Sequence, residues 1–338
     1  MDKITVCIPT YQSAATLQRA IESVLLQRDC EVEIIVGDNA STDDTHAMVS
    51  AIASQRISYF RHASNIGYPA NVNSCLERAN ADYIFILCAD DFLIHELVLA
   101  ELLAELKGGD FIAAHVPFRI YQQRAGECAP SGPSFSPLPA GRCTPDVVFS
   151  AFTTGRGCFG WGWLFRRSVI ADGGLRFETD HDMAPDTMFW LCLCMMGAVA
   201  EARSRAPGYA FVMHENSLGG RIFQERALEV YEQLVTFERR LFQRLGVALP
   251  EVARSVAHRQ FRYSASEFSG LTQKAFSEGR ISRVSALGLL SYALRAHPRA
   301  ALTPRFLRNL VFILLPRAVR ARVLAARLAR HTNSAAAQ

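Results

Sequence analysis

Two adjacent carboxylates, Asp90 and Asp91, close an apolar run, Tyr83-Ile84-Phe85-Ile86-Leu87-Cys88-Ala89. A run of this length, rich in Ile and Phe, reads as a buried parallel strand. Ligands of open α/β sheets bind outside the carboxyl ends of the strands, so this strand delivers its two acids to the active edge. Hard oxygen ligands there suit Mg²⁺ or Mn²⁺, which bind through one or two carboxylates plus substrate phosphates. The competing reading makes Asp91 the N-cap of a helix from about Phe92 to Leu106. Asp186 opens an apolar helix, Thr187 to Met196, and fits an N-cap on sequence alone. Asp180, His181 and Asp182 lie on a loop with no recognisable ligand spacing. His214 ends a late strand, Tyr209 to His214, where a lone histidine is more often a satisfied structural group than a ligand.

The elements that position these residues alternate. Ile4 to Ile8 reads as a strand stopped by Pro9, which cannot donate to a sheet ladder. Ser13 could cap a helix from about Ala14 to Gln27, with Leu17, Ile21, Val24 and Leu25 at helical spacing. A second strand, Val32 to Val36, ends in Gly37-Asp38-Asn39. Ser41 to Asp44 opens a helix with an acidic first turn, and a third strand covers Ile57 to Phe60. The turn Asn65-Ile66-Gly67-Tyr68-Pro69 leads into a helix around Ala70 to Ala79. This order predicts an α/β fold, a doubly wound sheet flanked by helices. The right-handed crossover rule brings Thr10, Asp38 and Asp90 to one edge. A dinucleotide-binding enzyme would share the layout, but it needs a Gly-rich turn after the first strand, where this chain has Pro9-Thr10-Tyr11, and no GxxxxGK[ST] occurs. Phosphates must be held another way, and a metal on Asp90 is the leading candidate.

Four of these segments, taken in order, resemble the family 2 glycosyltransferases with the GT-A fold. They are Val6-Cys7-Ile8-Pro9-Thr10-Tyr11, the run Glu33 to Asp43, Asn65-Ile66-Gly67, and Ile86-Leu87-Cys88-Ala89-Asp90-Asp91. The resemblance is dense over 3–95 and weaker to about 220. It implies a GT-A doubly wound mixed sheet in residues 1–220, a helical C-terminal extension in 221–331 and a disordered tail, 332–338. It implies that Pro9, Thr10, Tyr11, Asp38, Asn65, Gly67, Asn71 and Asp90 hold a nucleoside-diphosphate sugar. Asp90, with Asp91 and His214, would hold the divalent metal, Mn²⁺ or Mg²⁺. Asp186 matches the catalytic base of an inverting transfer, although the usual Glu-Asp pair reads Pro185-Asp186 here. Cys88 stands where the DxD motif has its first Asp, which puts a ribose contact in doubt. The segment from His214 to Leu218 resembles one that closes the donor site. The implied acceptor is a hydroxyl of a surface glycan or lipid-linked sugar. The alternative is an inactive nucleotide-binding or scaffolding module of the same fold.

The rest of the chain is less specific. Phe111 to Val116 reads as a strand, followed by a Pro/Gly/Ser-rich loop from about Gln122 to Pro145. The Gly-rich stretch from Gly155 to Gly162, with Trp161-Gly162-Trp163, favours tight packing beside a strand over an aromatic wall for a sugar. After Arg221 the pattern is helical, with Phe223, Ala227, Val230, Tyr231, Leu234 and Phe237 in one stripe and further helices around Val252–Phe276, Ser282–Ala296 and Phe306–Leu315. The net charge is +4, yet residues 279–338 hold eleven Arg and no Asp, Glu or Lys. Arg317 to Arg330 forms a basic amphipathic pattern. Residues 306–330 therefore suit an anionic membrane surface rather than nucleic acid. Nine cysteines without a CxxC pair suggest buried free thiols. Met1-Asp2-Lys3 leads straight into a strand, so no signal peptide is expected. The longest apolar run, Phe189 to Ala200, falls short of the ~20 residues of a membrane span. The expected location is cytoplasmic, at most peripheral at the inner face of the membrane.

Overall fold

The computed structural model describes residues 2–124, 127–153, 160–180, 184–204, 206–213, 227–257, 260–296, 298, 303–323 and 325. The chain divides into two compact units, one formed by 1–148 with 158–213 and the other by 149–157 with 214–338.

In the first unit, β1 (Lys3–Thr10) is buried from Ile4 onward, a run of Ile, Thr, Val and Cys that fits a pleated surface covered on both faces. It lies between β2 (Glu31–Asp38) and β4 (Tyr83–Ile86), parallel to both, and the register pairs Thr10 with Asp38. β3 (Ile57–Arg61) extends the parallel part on the far side of β2. β10 (Trp163–Arg166) then pairs antiparallel with β4 and makes the sheet mixed. The eight-stranded order is β3-β2-β1-β4-β10-β6-β11-β9, where β6 is Ala113–His115, β9 is Gly141–Cys143 and β11 is Val199–Glu201. The expected doubly wound, mixed α/β layout is therefore present.

The helices follow their apolar spacing. α1 (Leu17–Leu25) buries Leu17, Ala20, Ile21 and Val24 on one face. It starts later than the cap at Ser13 predicts, because Ser13 offers its carbonyl, not its hydroxyl, to the N–H groups of Thr16 and Leu17. α2 (Thr45–Ala51) and α3 (Tyr68–Arg78) follow β2 and β3. α4 (Val98–Lys107) begins well after the expected Phe92. Phe92–Leu93 instead forms a short strand, β5, paired with β12 (Tyr209–Met213).

A second, four-stranded sheet has the order β5-β12-β7-β8. Its β7 (Phe118–Arg124) and β8 (Glu127–Phe135) form an antiparallel hairpin where a long loop is expected. Pro130 and Pro133 misled the composition reading. β8 is the edge strand, where a missing N–H faces no partner, so proline is tolerated there. α5 (Pro145–Thr153) and α6 (Ser168–Ala171) are short connectors, and α7 (Pro185–Met196) packs its Phe189 and Trp190 into an aromatic cluster. Trp190 stacks on Trp163 at 5.7 Å, Phe189 stacks on Phe177 at 4.3 Å, and Trp190 Nε1 donates to Gly160 O at 2.6 Å. Trp163 is fully buried, which bears out packing rather than a sugar-binding wall for that residue.

The second unit is helical in its described residues: α8 (Ala227–Ala248), α9 (Pro250–Val256), α10 (Gln260–Ser277), α11 (Arg283–Ala296) and α12 (Pro304–Leu314). Val230, Tyr231, Leu234 and Phe237 are buried along α8, the expected stripe, while Phe223 lies outside the described residues. Among the described residues no helix is long and apolar enough to cross a membrane. The eight described cysteines are free.

Candidate active site

The turns after β1 and β2 meet at the carboxyl edge of the sheet. Gln12 adopts a left-handed backbone, φ 52°, and clamps the two turns together. Its N–H donates to Ser41 Oγ at 2.9 Å, and its Oε1 accepts from the N–H groups of Thr42 and Asp43 at 2.9 and 3.1 Å. Asn39 N–H donates to Thr10 O at 2.9 Å. Tyr11, beside the clamp, is 48% exposed at this edge, whereas Thr10 is buried.

Asp38 arrives beside Thr10 but has no exposed surface. Its Oδ1 accepts from Ser41 N–H at 2.8 Å, its Oδ2 from Tyr59 Oη at 2.5 Å, and Arg61 Nε lies 3.7 Å away. Burial, then the Asp38 carboxylate, raises the Tyr59 phenol above its ordinary range, so Tyr59 stays a donor. Asn65 and Gly67 form the next turn. Asn65 Oδ1 accepts from Asn39 Nδ2 at 2.8 Å and from Gly67 N–H at 2.9 Å. Gly67 sits at φ +85°, a conformation that favours glycine, and serves as the N-cap of α3. Asn71 is buried, with Nδ2 donating to Gly37 O at 2.8 Å. These contacts are all to the protein itself and give the edge its shape.

The paired acids behind β4 part company. Asp91 is 1% exposed, and its carboxylate accepts from Tyr209 Oη at 2.6 Å and from Val212 N–H at 2.7 Å. It bolts the turn to β12 and caps no helix. Burial, then the neighbouring Asp90 charge, pushes its pKa well above the ordinary range. Asp90 is partly exposed. Its carbonyl accepts from Arg19 Nη2 at 3.0 Å, and the same guanidinium lies over the Phe92 ring at 4.9 Å and donates to Gln123 Oε1 at 3.3 Å. Arg19 thus holds the turn from the α1 side, a role no local motif announced.

Ligand atoms of Cys88, Asp90 and Asp91 lie within 4.8 Å of one another. The Cys88 thiol is pushed well above its ordinary pKa by burial and then by Asp91, Asp90 and Asp186, so it is protonated and a poor partner for a hard cation. Asp91 already accepts two protein hydrogen bonds. Asp90 is the carboxylate that best fits a Mg²⁺- or Mn²⁺-type site completed by substrate phosphates.

Asp186 and Tyr68 face this group. The N-cap of α7 is Ala184, in a left-handed conformation at φ 49°, followed by Pro185. Asp186 therefore lies in the first turn rather than at the cap, where the helix dipole favours its charge. It is partly exposed and accepts from Thr187 N–H, while burial raises its pKa to about 6. Its charge acts on Cys88 and on Tyr68, the first residue of α3. Tyr68 Oη is buried beside the Cys88 thiol, and its ring meets Phe177 edge-on at 6.2 Å. Burial first, then Cys88, Asp186 and Asp90, push this phenol well above its ordinary range. Cys88, Asp90, Asp186 and the Tyr68 hydroxyl thus lie near enough for their charges to act on one another.

His214, the segment to Leu218, His181 and Asp182 lie outside the described residues. Asp180 is exposed on a bend. A second polar group, unannounced by any motif, is the fully buried pair of His115 on β6 and Glu201 on β11, 2.7 Å apart. His115 Nε2 faces Trp161 O at 2.9 Å. Both ring nitrogens meet acceptors, so this pair braces the sheet.

A mixed α/β sheet with an acidic turn at the carboxyl end of its fourth strand is the GT-A architecture. Among solved structures, the mannosyltransferase PcManGT from Pyrobaculum calidifontis, in complex with GDP-Man and Mn²⁺, superposes with a TM-score of 0.54 at 17% identity, covering 92% of this chain and 84% of that one. The profile of glycosyl transferase family 2 matches residues 5–174, half of the chain, and the chain belongs to that family. An uncharacterised protein of Mycobacterium tuberculosis (strain CDC 1551 / Oshkosh) is 30% identical over 228 residues, 64% of this chain and 66% of its own length. A GalNAc(5)-diNAcBac-PP-undecaprenol beta-1,3-glucosyltransferase of Campylobacter jejuni is 34% identical over 97 residues, 28% of this chain and 31% of its own length. The matches therefore span less than two thirds of these relatives.

Proposed function

We propose that the chain is an inverting, metal-dependent glycosyltransferase. It moves a sugar from a nucleoside-diphosphate donor to a hydroxyl of a surface glycan or lipid-linked acceptor. The observation that carries this reading is that Asp90 and Asp186 both act on Cys88 and Tyr68, with the other predicted acids, Asp38 and Asp91, committed to the fold.

The turns at Pro9, Thr10, Tyr11, Asp38, Asn65, Gly67 and Asn71 shape the nucleotide side. Exposed Tyr11 is suited to lie against the base. A divalent cation held by Asp90, with His214 as a further ligand, would act as a Lewis acid toward the leaving diphosphate. Asp186, raised to about 6, is mostly ionised near neutral pH and still basic enough to take a proton. The acceptor oxygen forms the new bond to the anomeric carbon as the bond to the diphosphate oxygen breaks. The electron pair leaves with the nucleotide, and the acceptor proton passes to Asp186. Attack from the face opposite the diphosphate inverts the anomeric configuration.

The names of the relatives support the substrates: one acts on an undecaprenol-linked sugar, and PcManGT is complexed with GDP-Man and Mn²⁺. A lipid-linked acceptor fits work at the inner face of a membrane, reached through residues 306–330. The competing reading, an inactive nucleotide-binding or scaffolding module, is favoured by Cys88 and by Pro185, which stands where an acidic neighbour of Asp186 is expected. Donor hydrolysis and sugar transfer, measured with Mn²⁺ and with EDTA in wild type and Asp90→Asn, test the proposal. Loss of turnover in both EDTA and the variant is expected. Undiminished Mn²⁺-dependent turnover in Asp90→Asn sinks the metal assignment.

A further inference from the structure

Helix α12 is apolar on two opposite faces, and the fold uses only one. Its N-cap is Thr303, whose hydroxyl accepts from Phe306 N–H at 3.1 Å, with Pro304 in the first turn. Phe306, Asn309, Phe312 and Ile313 are buried. That face is keyed to α10: Asn309 Nδ2 donates to Ser269 Oγ at 3.0 Å, and Arg305 pairs with Glu267. Gly270 on α10 leaves room for Arg305, whose guanidinium would lie 3.1 Å from an added Cβ. On this side the helix is docked on its own unit.

The other side is a stripe. Leu307, Val311 and Leu314 recur at i, i+4 and i+7 and are 45%, 54% and 54% exposed. Leu310 lies between them, half-buried. Residues 317–323 continue as a helix and add Val319, 41% exposed. A surface helix of a soluble domain ordinarily turns polar residues to water on the face opposite its core. This one does not, and contiguous exposed apolar patches mark interaction sites.

The arginines around the stripe sort into two groups. Arg305 is paired with Glu267, Arg283 donates to Leu315 O at 2.9 Å, and Arg320 lies over the Phe276 ring at 4.4 Å. Those three hold the unit together. Arg308, Arg317 and Arg322 are exposed and make no ion pair with the described residues. Residues 279–338 contain no acid to neutralise them. An apolar stripe flanked by cations without counter-charges is complementary to an anionic bilayer, whose headgroups meet the guanidinium groups while the side chains enter the acyl boundary.

We propose that the Leu307–Val311–Leu314 face of α12, continued by Val319 and flanked by Arg308, Arg317 and Arg322, docks the protein on an anionic lipid surface. This sharpens the membrane-face part of the functional reading into one helix face. The docked helix stays in its packed place and inserts only its outer stripe. The unit therefore lies on the bilayer without any segment crossing it.

The test uses the full chain and sedimentation with vesicles of phosphatidylcholine alone or with phosphatidylglycerol. Wild type is expected on the anionic vesicles and to be largely released by high salt. The variant Arg308→Glu/Arg317→Glu/Arg322→Glu should bind at least a hundredfold more weakly, since each arginine near the surface is worth roughly fivefold. Leu307→Ser/Val311→Ser/Leu314→Ser should lose at least about tenfold at either salt. The substituted side chains face solvent, and circular dichroism checks that the fold is kept. Equal binding by wild type and both variants, or no binding by wild type, overturns the proposal. So does a concentration-dependent dimer that the triple serine variant abolishes, because the stripe then covers a second copy. Donor hydrolysis without vesicles runs alongside. An active protein that ignores vesicles removes this inference alone, and an inactive protein that binds them removes only the transferase reading.

Discussion

The proposed nucleotide edge and the proposed reaction site are built from the same residue types and treat them in opposite ways. At the edge, Asp38, Asn65, Asn71 and Gln12 make hydrogen bonds to neighbouring turns, and Asp38 and Asn71 lose nearly all exposure. At the proposed reaction site, Asp186 keeps an exposed part and a raised pKa, and the buried Tyr68 hydroxyl has the Cys88 thiol as its neighbour. A polar group whose bonds are all closed within the protein shapes a surface. A polar group held open in a desolvated place carries a cost that only a bound substrate repays. Asp90 and Asp91 differ within one peptide bond, the first partly exposed and the second buried and locked to β12.

The largest effect should come from the open side. Asp186→Asn should reduce transfer by ~10²–10⁴-fold, the typical contribution of a general base, with donor binding retained by calorimetry. If transfer stays within a few-fold of wild type, the proposed reaction site loses its base and the contrast fails there. The closed side should answer in stability instead. Asp91→Ala leaves Tyr209 Oη and Val212 N–H buried without their acceptor, a loss of about 1–3 kcal/mol per group. Its melting temperature should fall by several degrees, and an unchanged value would mean that the bolt is idle.

A pH series sharpens the comparison. Transfer by wild type should rise with pH and level off above about 6, as Asp186 ionises. The folded pKa is raised above the unfolded value, so Asp186 binds its proton more tightly when folded. Its charge therefore costs stability, increasingly as pH rises from the unfolded value to about 6 and fully above it. Asp186→Asn should accordingly melt no lower than wild type at pH 8, and a lower melting temperature there would mean that the charge stabilises the fold. The smallest effect belongs to Tyr68→Phe. It removes a hydroxyl whose neighbour is the weakly bonding Cys88 thiol, so the fold should be little changed, while kcat/KM should drop about five- to tenfold if the hydroxyl meets the substrate, the worth of one hydrogen bond. Unaltered kinetics would move Tyr68 to the closed side of the comparison.

Much of the first unit was readable along the chain. Ile4 to Ile8, Val32 to Val36 and Tyr83 to Ile86 are short apolar runs that punctuation residues end on time. Parallel pairing then brings Thr10 and Asp38 into register without further information. The apolar helix after Pro185 was also visible. What stayed hidden depends on partners far away in sequence. The hairpin β7/β8 looked like a loop because its prolines are acceptable only on an edge, and edge status is a property of the sheet. β5 is two residues long and exists by pairing with β12. The left-handed backbones of Gln12 and Ala184 have no glycine to announce them. The division of labour between Asp90 and Asp91 follows from Tyr209, which no local pattern connects to them.

The bolt at Asp91 also bears on the order in which the protein is made. Its partners Tyr209 and Val212 lie 118 and 121 residues downstream. A chain leaving the ribosome can pair β1, β2 and β4 long before β12 exists, and contacts of such separation form slowly because the loop must close first. Until then the acidic turn lacks its anchor on β12, although Arg19 can already hold it from the α1 side. A nascent or truncated chain that ends before Tyr209 can pair the parallel strands and still lack both partners of Asp91. Such a chain should hold the Asp90 turn less firmly than the complete first unit does.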